Sequence, residues 1–168
     1  MSRLYFAAGP SLASPTSLKA REPGARPLEL GPGTLAVLPH SYFTYDVASG
    51  QWGGRIARIV SVPGRAVHGR VFTVPDLSRA ELDAIERSWL GDGATLVKRQ
   101  VTAGGARLEV ESWMASASPP AASGPVSVAF ARALVEAARL GELPEPYLVT
   151  LAAEVQILEV LQPPPAPE

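Results

Sequence analysis

The sequence predicts a single α+β domain in which a small, barrel-like mixed β-sheet carries a few flanking helices. The chain has 168 residues, 46% of them hydrophobic, which suits the size and core of one domain. Strand-like segments occur at both ends of residues 1–115, and one short helix precedes the final hairpin. We assign the domain to residues 1–161 and expect residues 162–168 to form a disordered, proline-rich tail.

Short apolar or alternating runs bounded by turn residues identify the strands. The first run, residues 4–8, ends at Gly9 and Pro10 and reads as a buried strand followed by a tight turn. Pro63-Gly64 and Gly104-Gly105 each predict a hairpin between the segments that flank them. A further strand is predicted after Gly33 within residues 28–38, and others at residues 41–47, 55–62, 66–74, 95–102 and 107–114.

Capping residues and helical spacing predict four helices, at residues 14–22, 79–90, 126–140 and 147–161. Ser14 with Pro15 suits the start of the first helix, and Ser78 with Glu81 would form a capping box for the second. In the second helix, Leu82, Ile85 and Trp89 share one apolar face, and Glu86 lies beside them. Residues 116–125 read as a surface loop.

Composition excludes several classes of function. The 15 basic and 16 acidic residues leave a formal charge of -1, which argues against a nucleic-acid or membrane-surface partner. The chain has no cysteine, and its two histidines, His40 and His68, lack ligand spacing, so we expect no metal site. No run approaches the roughly 20 apolar residues of a membrane helix, and we expect a cytoplasmic protein.

Four segments, in order and at similar spacing, resemble the γ-glutamylcyclotransferases over roughly residues 3–155. The first is LYFAAGPSL at residues 4–12, similar to the family's YFAYGSNL. The second is residues 50–74, with Trp-Gly-Gly, a strand, Pro-Gly and a Val-x-Gly strand. The third is LDAIE at residues 82–86, and the fourth is Ser-Pro-Pro at 118–120, a helix, and GELPEPY at 141–147.

The resemblance implies a cofactor-free enzyme acting on a small γ-glutamyl substrate. Such enzymes cyclise the γ-glutamyl group onto its own α-amine, release 5-oxoproline and expel an amine or amino acid. Glu86 lies where the family has its catalytic glutamate. A carboxyl with a raised pKa beside an apolar helix face would serve as general acid/base. The alternative is an ordinary solvent-facing glutamate that pairs with Arg79 or Arg87.

The resemblance also implies that residues 8–12 hold the substrate carboxylate through backbone N–H groups, as an anion-binding turn does. The five residues concerned are Ala8, Gly9, Pro10, Ser11 and Leu12. A helix beginning near Ser14 would add the favourable N-terminal end of its dipole to this turn. Tyr147 matches a family tyrosine, which would bind the part of the substrate that carries the leaving amine.

The loop departs from the family pattern: Ala8 replaces a tyrosine, Pro10 a serine and Ser11 an asparagine. Proline has no N–H, so one donor is missing. Arg87 follows Glu86 where the family often has glycine, and it would either pair with Glu86 or bind a second substrate carboxylate. These departures leave open a second interpretation, a catalytically impaired protein that acts as a ligand-binding or regulatory module.

Overall fold

A computed structural model describes residues 2–116 and 124–162. The surface loop predicted at 116–125 falls mostly outside these residues, as do the Ser-Pro-Pro match at 118–120 and the tail from residue 163 onward. The elements in chain order are β1 (Ser2–Ala7), β2 (Leu12–Ser14), β3 (Ser17–Leu18), β4 (Leu28–Glu29), β5 (Thr34–Ser49), β6 (Gly54–Pro75), α1 (Arg79–Leu90), β7 (Thr95–Ala103), β8 (Ala106–Met114), α2 (Val128–Leu140) and α3 (Glu145–Leu161).

The main sheet has five strands in the order β1-β6-β5-β7-β8, which confirms the predicted mixed, barrel-like architecture. It closes on itself through a single parallel pair, Tyr5 with Glu111, between β1 and β8. The ladder between β5 and β7 is also short, with two paired positions. Beyond these positions, β5 and β6 continue as a long antiparallel ribbon. The interior of the sheet is filled by apolar side chains that include Phe6, Val67 and Val101.

The hairpin predicted around Pro63-Gly64 is wrong. The segments 55–62 and 66–74 belong to one continuous strand, β6, whose partner is β5, and the chain reverses at residues 50–53 instead. Opposite the single residue His40, β6 carries four residues, 62–65, between the pairs Ser41–Ser61 and Pro39–Ala66. Gly64 has a φ of 82° there, so Pro-Gly forms a bulge within the ladder.

The helix predicted at 14–22 is also wrong. The Ser14 hydroxyl accepts the Thr16 N–H at 3.1 Å, a local turn that competes with helix formation. The chain reverses there, and β2 and β3 pair so that Leu12 faces Leu18. Both leucines are at most 1% exposed, which a solvent-facing helix end would not achieve. A three-stranded sheet, β2-β3-β4, results, so the dipole expected from a helix beginning near Ser14 is absent.

The helices pack on the outside of the main sheet. One apolar cluster joins β1 and β6 to α1, α2 and α3, with Leu82 and Ile85 of α1 among its buried members. The helix predicted at 79–90 is α1, with the same bounds, but the Ser78 side chain makes no capping hydrogen bond. Gln162, which we assigned to the tail, accepts a hydrogen bond from the Val126 N–H. Within residues 2–116 and 124–162, no helix has the length and hydropathy to cross a bilayer.

Candidate active site

Glu86 is buried where α1 meets β1. Its side chain is on the same side of α1 as Leu82 and Ile85, and the residue is 5% exposed, so the solvent-facing alternative is excluded. Glu86 Oε2 accepts a hydrogen bond from the Tyr5 hydroxyl at 2.7 Å. The second oxygen, Oε1, is buried and has no hydrogen-bond partner. The carboxyl therefore has one oxygen held by the protein and one oxygen without a hydrogen-bond partner.

Tyr5 connects this carboxyl to β8. The Trp113 N–H donates to the Tyr5 hydroxyl oxygen at 3.3 Å, and Tyr5 donates onward to Glu86. The Trp113 indole in turn donates to Asp83 Oδ1 at 3.0 Å, one turn before Glu86 on α1. Two hydrogen bonds thus join α1 to the β1–β8 seam, which fixes the position of the Glu86 side chain.

Burial raises the pKa of Glu86 above its ordinary value, because the charged form loses hydration. The negative charge of Asp83 raises it further, whereas the hydroxyls of Ser11 and Tyr5 oppose the rise. Ser11 Oγ is near enough to act on the carboxyl, yet it is buried without a hydrogen bond of normal geometry. Burial also raises the pKa of Tyr5, and the adjacent Glu86 carboxylate adds to this effect. Tyr5 is therefore a neutral hydrogen-bond donor at physiological pH.

The turn after β1 approaches the same carboxyl. Leu12 N–H donates to the Gly9 carbonyl at 3.3 Å, which makes residues 9–12 a tight turn with Pro10 at its second position. Gly9 has no heavy atom within 4 Å of the place where a side chain would begin. The backbone at Gly9 is therefore open to a ligand. Within the described chain, the N–H groups of Gly9 and Ser11 make no hydrogen bond.

A small cleft lies in front of Glu86. Its lining includes Tyr5, Glu86, Ser112 and Trp113, together with Ala8, Gly9 and Pro10 of the turn. Four of the predicted site residues thus share one cleft, and Ser11 lies behind the turn, beside the carboxyl.

Two predicted site residues lie elsewhere. Leu12 is 1% exposed in the core, and its N–H is already used within the turn. Tyr147 lies outside the cleft lining, with its ring 4.7 Å from that of His68. Neither residue contributes a group to the cleft. Arg87 does not pair with Glu86: its guanidinium is exposed and lies over the Trp113 ring, 5.3 Å from the ring centroid.

Sequence reasoning missed Tyr5 and Trp113. Tyr5 lies within an apolar run in which nothing distinguishes it from a packed core residue, and 81 positions separate it from Glu86. A polar hydroxyl in an otherwise apolar strand was the one available signal, because a buried Tyr hydroxyl normally has a partner. In the described segments, no cluster of three or more His, Asp or Glu side chains is arranged to hold a metal ion.

Comparison with solved structures identifies the fold. The chain is similar to a γ-glutamyl cyclotransferase structure, at 21% identity and a TM-score of 0.64 over 95% of this chain and 99% of the other. It is also similar to the structure of an uncharacterised human protein, at 21% identity and a TM-score of 0.63 over 94% of this chain and 98% of the other. A third similar structure is a yeast γ-glutamyl cyclotransferase specific to glutathione, at 12% identity and a TM-score of 0.57 over 94% of this chain and 96% of the other. No protein-family model and no curated protein sequence matches the chain. The chain therefore has the fold of γ-glutamyl cyclotransferases.

Proposed function

We propose that this chain is a γ-glutamyl cyclotransferase in which Glu86 is the general acid/base. The single observation that carries the proposal is the Glu86 carboxyl: buried, raised in pKa, held through Oε2 and unpaired at Oε1 beside an open cleft. Buried carboxyls with shifted pKa values in a cleft are typical of catalytic acids and bases. The shared fold and the resemblance at residues 82–86 support the same assignment.

In this mechanism the γ-glutamyl group binds folded on itself. The backbone of residues 9–11 binds the substrate α-carboxylate. Glu86 removes a proton from the substrate α-ammonium, and the amine attacks the γ-carbonyl carbon to close the five-membered lactam. Glu86 then gives that proton to the departing nitrogen as the γ-amide bond breaks, so one carboxyl serves both steps. The ring nitrogen loses its second proton to the released amine, which leaves as an ammonium. Tyr5 holds the carboxyl in place throughout.

The direct test of the proposal is release of 5-oxoproline from a panel of γ-glutamyl amines, amino acids and peptides. We expect the wild-type protein to release it from at least one panel member without added metal or cofactor. Its kcat/KM should rise with pH as Glu86 ionises, because the base must be deprotonated in the free enzyme. A broad panel from which no member yields 5-oxoproline would refute the proposed activity.

Replacing Tyr5 with Phe should shift the acid limb of this pH profile to higher pH. The Tyr5 hydrogen bond favours the carboxylate and lowers the pKa of Glu86, so its removal raises that pKa further. The loss also leaves the Trp113 N–H without its acceptor, which should cost about 1–3 kcal/mol of stability. The measurement is kcat/KM against pH for both proteins. An acid limb that stays in place or moves to lower pH would contradict this role of Tyr5.

The turn also favours a second candidate function, a ligand-binding module without turnover. Pro10 has no N–H, and the Leu12 N–H is used within the turn, so the substrate carboxylate is offered fewer donors than a typical anion-binding turn has. Such a module would still bind 5-oxoproline or a γ-glutamyl compound at the same cleft. The absence of 5-oxoproline release together with measurable binding would select it.

Pro10→Ala should tighten binding of 5-oxoproline by about tenfold, since it restores one N–H donor to a carboxylate. The same change should cost about 0.5–1 kcal/mol of stability, because proline suits the second position of this turn and restricts the unfolded chain. Titration calorimetry of both proteins measures the affinity. Unchanged or weaker binding by a folded Pro10→Ala protein would show that this position does not contact the carboxylate.

A further inference from the structure

The cleft in front of Glu86 has two chemically different walls. The polar wall consists of Tyr5, Glu86 and the turn at residues 8–10. Most of the other lining residues are apolar, and those from β5, β6, β8 and α2 are called the apolar wall: Phe43, Ala57, Ile59, Met114, Phe130 and Leu134. In the proposed reaction the glutamyl half is held at the polar wall. The leaving half must then lie against the apolar wall.

This apolar wall is built by regular structure. Phe43 and Ile59 are directly paired across the β5–β6 ladder, so both project from the same face. Phe130 and Leu134 are one turn apart on α2 and are 2% and 4% exposed. Phe43, Phe130 and Leu134 also belong to one apolar cluster with Ala57. The wall is therefore a fixed surface, continuous with the core.

None of the residues that line the cleft offers a free cation to the leaving half. Arg58 is the only cationic residue in the lining, and Asp46 already holds its guanidinium, with Nε 2.8 Å from Oδ1 and Nη2 2.9 Å from Oδ2. Two cations outside the lining approach its residues: the Arg87 guanidinium lies 5.3 Å from the centroid of the Trp113 ring, and Arg99, whose buried Nε has no hydrogen-bond partner, approaches Met114. One of the Arg99 terminal nitrogens lies 3.1 Å from Met114 Sδ, and Met114, not Arg99, forms part of the cleft lining.

We propose that this wall is a subsite for an uncharged, apolar leaving amine, which makes the substrate a γ-glutamyl derivative of an aliphatic or aromatic amine. The inference rests on the proposed function and specifies its substrate class. An apolar group gains by leaving water for this surface. A carboxylate on the leaving half would lose hydration there without a free cation in the lining to compensate.

The test is a matched pair of substrates that differ only in one carboxylate, γ-glutamyl-phenethylamide and γ-glutamyl-phenylalanine. We expect kcat/KM for γ-glutamyl-phenethylamide to exceed that for γ-glutamyl-phenylalanine by about tenfold or more, the scale on which an uncompensated polar group is discriminated. The same pair is titrated into Glu86→Gln, which retains the cleft but lacks the proton-transferring group. The amide should bind more tightly there by a similar factor.

Ile59→Lys places a cation at the apolar wall, and Ile59→Leu is its matched control. The lysine should reduce the preference for the amide about tenfold, whereas leucine should leave the ratio of kcat/KM values unchanged. Because each protein is compared on two substrates, a general loss of activity cancels from the ratio. Arg99→Met is tested in parallel and should also leave the ratio unchanged.

The outcomes separate the substrate class from the reaction. Equal kcat/KM values for the two compounds, or a higher value for γ-glutamyl-phenylalanine, would overturn the proposed apolar subsite. If that preference disappears in Arg99→Met, the carboxylate binds Arg99. Preferential binding of the amide without any 5-oxoproline release supports the subsite and refutes the proposed reaction.

Discussion

Replacing Glu86 with Gln is expected to slow 5-oxoproline release by about 10²–10⁴-fold, the usual contribution of a general acid/base. The amide keeps the shape of the carboxyl, and its oxygen still accepts the Tyr5 hydrogen bond, but it cannot take and return a proton. Substrate affinity should change little, because the turn and the apolar wall are untouched. The measurement is the single-turnover rate together with binding of the same substrate. Wild-type turnover by Glu86→Gln would show that another group transfers the proton.

The same substitution is expected to stabilise the protein at neutral pH. The folded-state pKa of Glu86 is raised by burial, so folding favours the protonated carboxyl. The contribution of Glu86 to stability is therefore complete below its unfolded pKa, about 4.3, and is lost as the pH rises through the higher folded value. A neutral Gln does not suffer this loss. Thermal unfolding of both proteins at acidic and neutral pH should show a gain for Glu86→Gln that grows with pH.

Glu81→Gln is the matched control for both effects. Glu81 is exposed in the first turn of the same helix and does not line the cleft. Its rate should stay within about twofold of the wild type, and its stability should fall by a few tenths of a kcal/mol as the helix loses a favourable N-terminal charge. A rate loss in Glu81→Gln comparable to that in Glu86→Gln would indicate damage to α1 and not removal of a base.

The second large effect is expected from Gly69→Ala, at the seam between β6 and β1. A methyl group at Gly69 would collide with the Ala7 carbonyl oxygen and would come within 2.7 Å of the Phe6 ring. The carbonyl belongs to the backbone and cannot rotate away, so β1 must shift. We expect the free energy of unfolding to fall by about 3 kcal/mol, the upper end of ordinary overpacking. For a chain of this size the midpoint of thermal unfolding should fall by about 6–12 °C.

This shift also reaches the candidate site. Ala7 ends β1, and the turn that faces Glu86 begins at the next residue. Any protein that folds should therefore lose affinity for 5-oxoproline as well. Gly50→Ala is the control, since Gly50 has no heavy atom within 4 Å of a new methyl and needs no positive φ. A Gly69→Ala protein as stable as Gly50→Ala would contradict the close approach of β1 and β6.

The sequence was sufficient for elements whose signals are local. The helix that carries Glu86 shows helical spacing of Leu82 and Ile85, and both residues are buried as that spacing predicts. The hairpin of β7 and β8 turns at Gly104-Gly105, where both glycines have positive φ. In each case residues within a few positions of one another determine the conformation, because turn dihedrals and helix periodicity are properties of adjacent residues.

Two local signals were misleading because distant partners outweighed them. Ser14-Pro15 suits a helix start, but pairing of Leu12 with Leu18 buries two leucines, and a hairpin forms there. Pro63-Gly64 suits a hairpin turn, but β5 pairs with β6 on both sides of it, and the turn becomes a bulge. A chain reversal and a bulge use the same residues, and only the partner strand distinguishes them.

The sequence by itself determined that Glu86 lies on a helix beside an apolar face, and that Gly9 and Pro10 end the first strand. Only the tertiary structure decided what surrounds the carboxyl. Tyr5, 81 residues away, reaches Oε2, β8 supplies the Trp113 N–H, and Glu86 lines the cleft. The pKa of Glu86 depends on this environment, because desolvation and hydrogen bonding are set by groups that folding brings together from β1, β8 and α1.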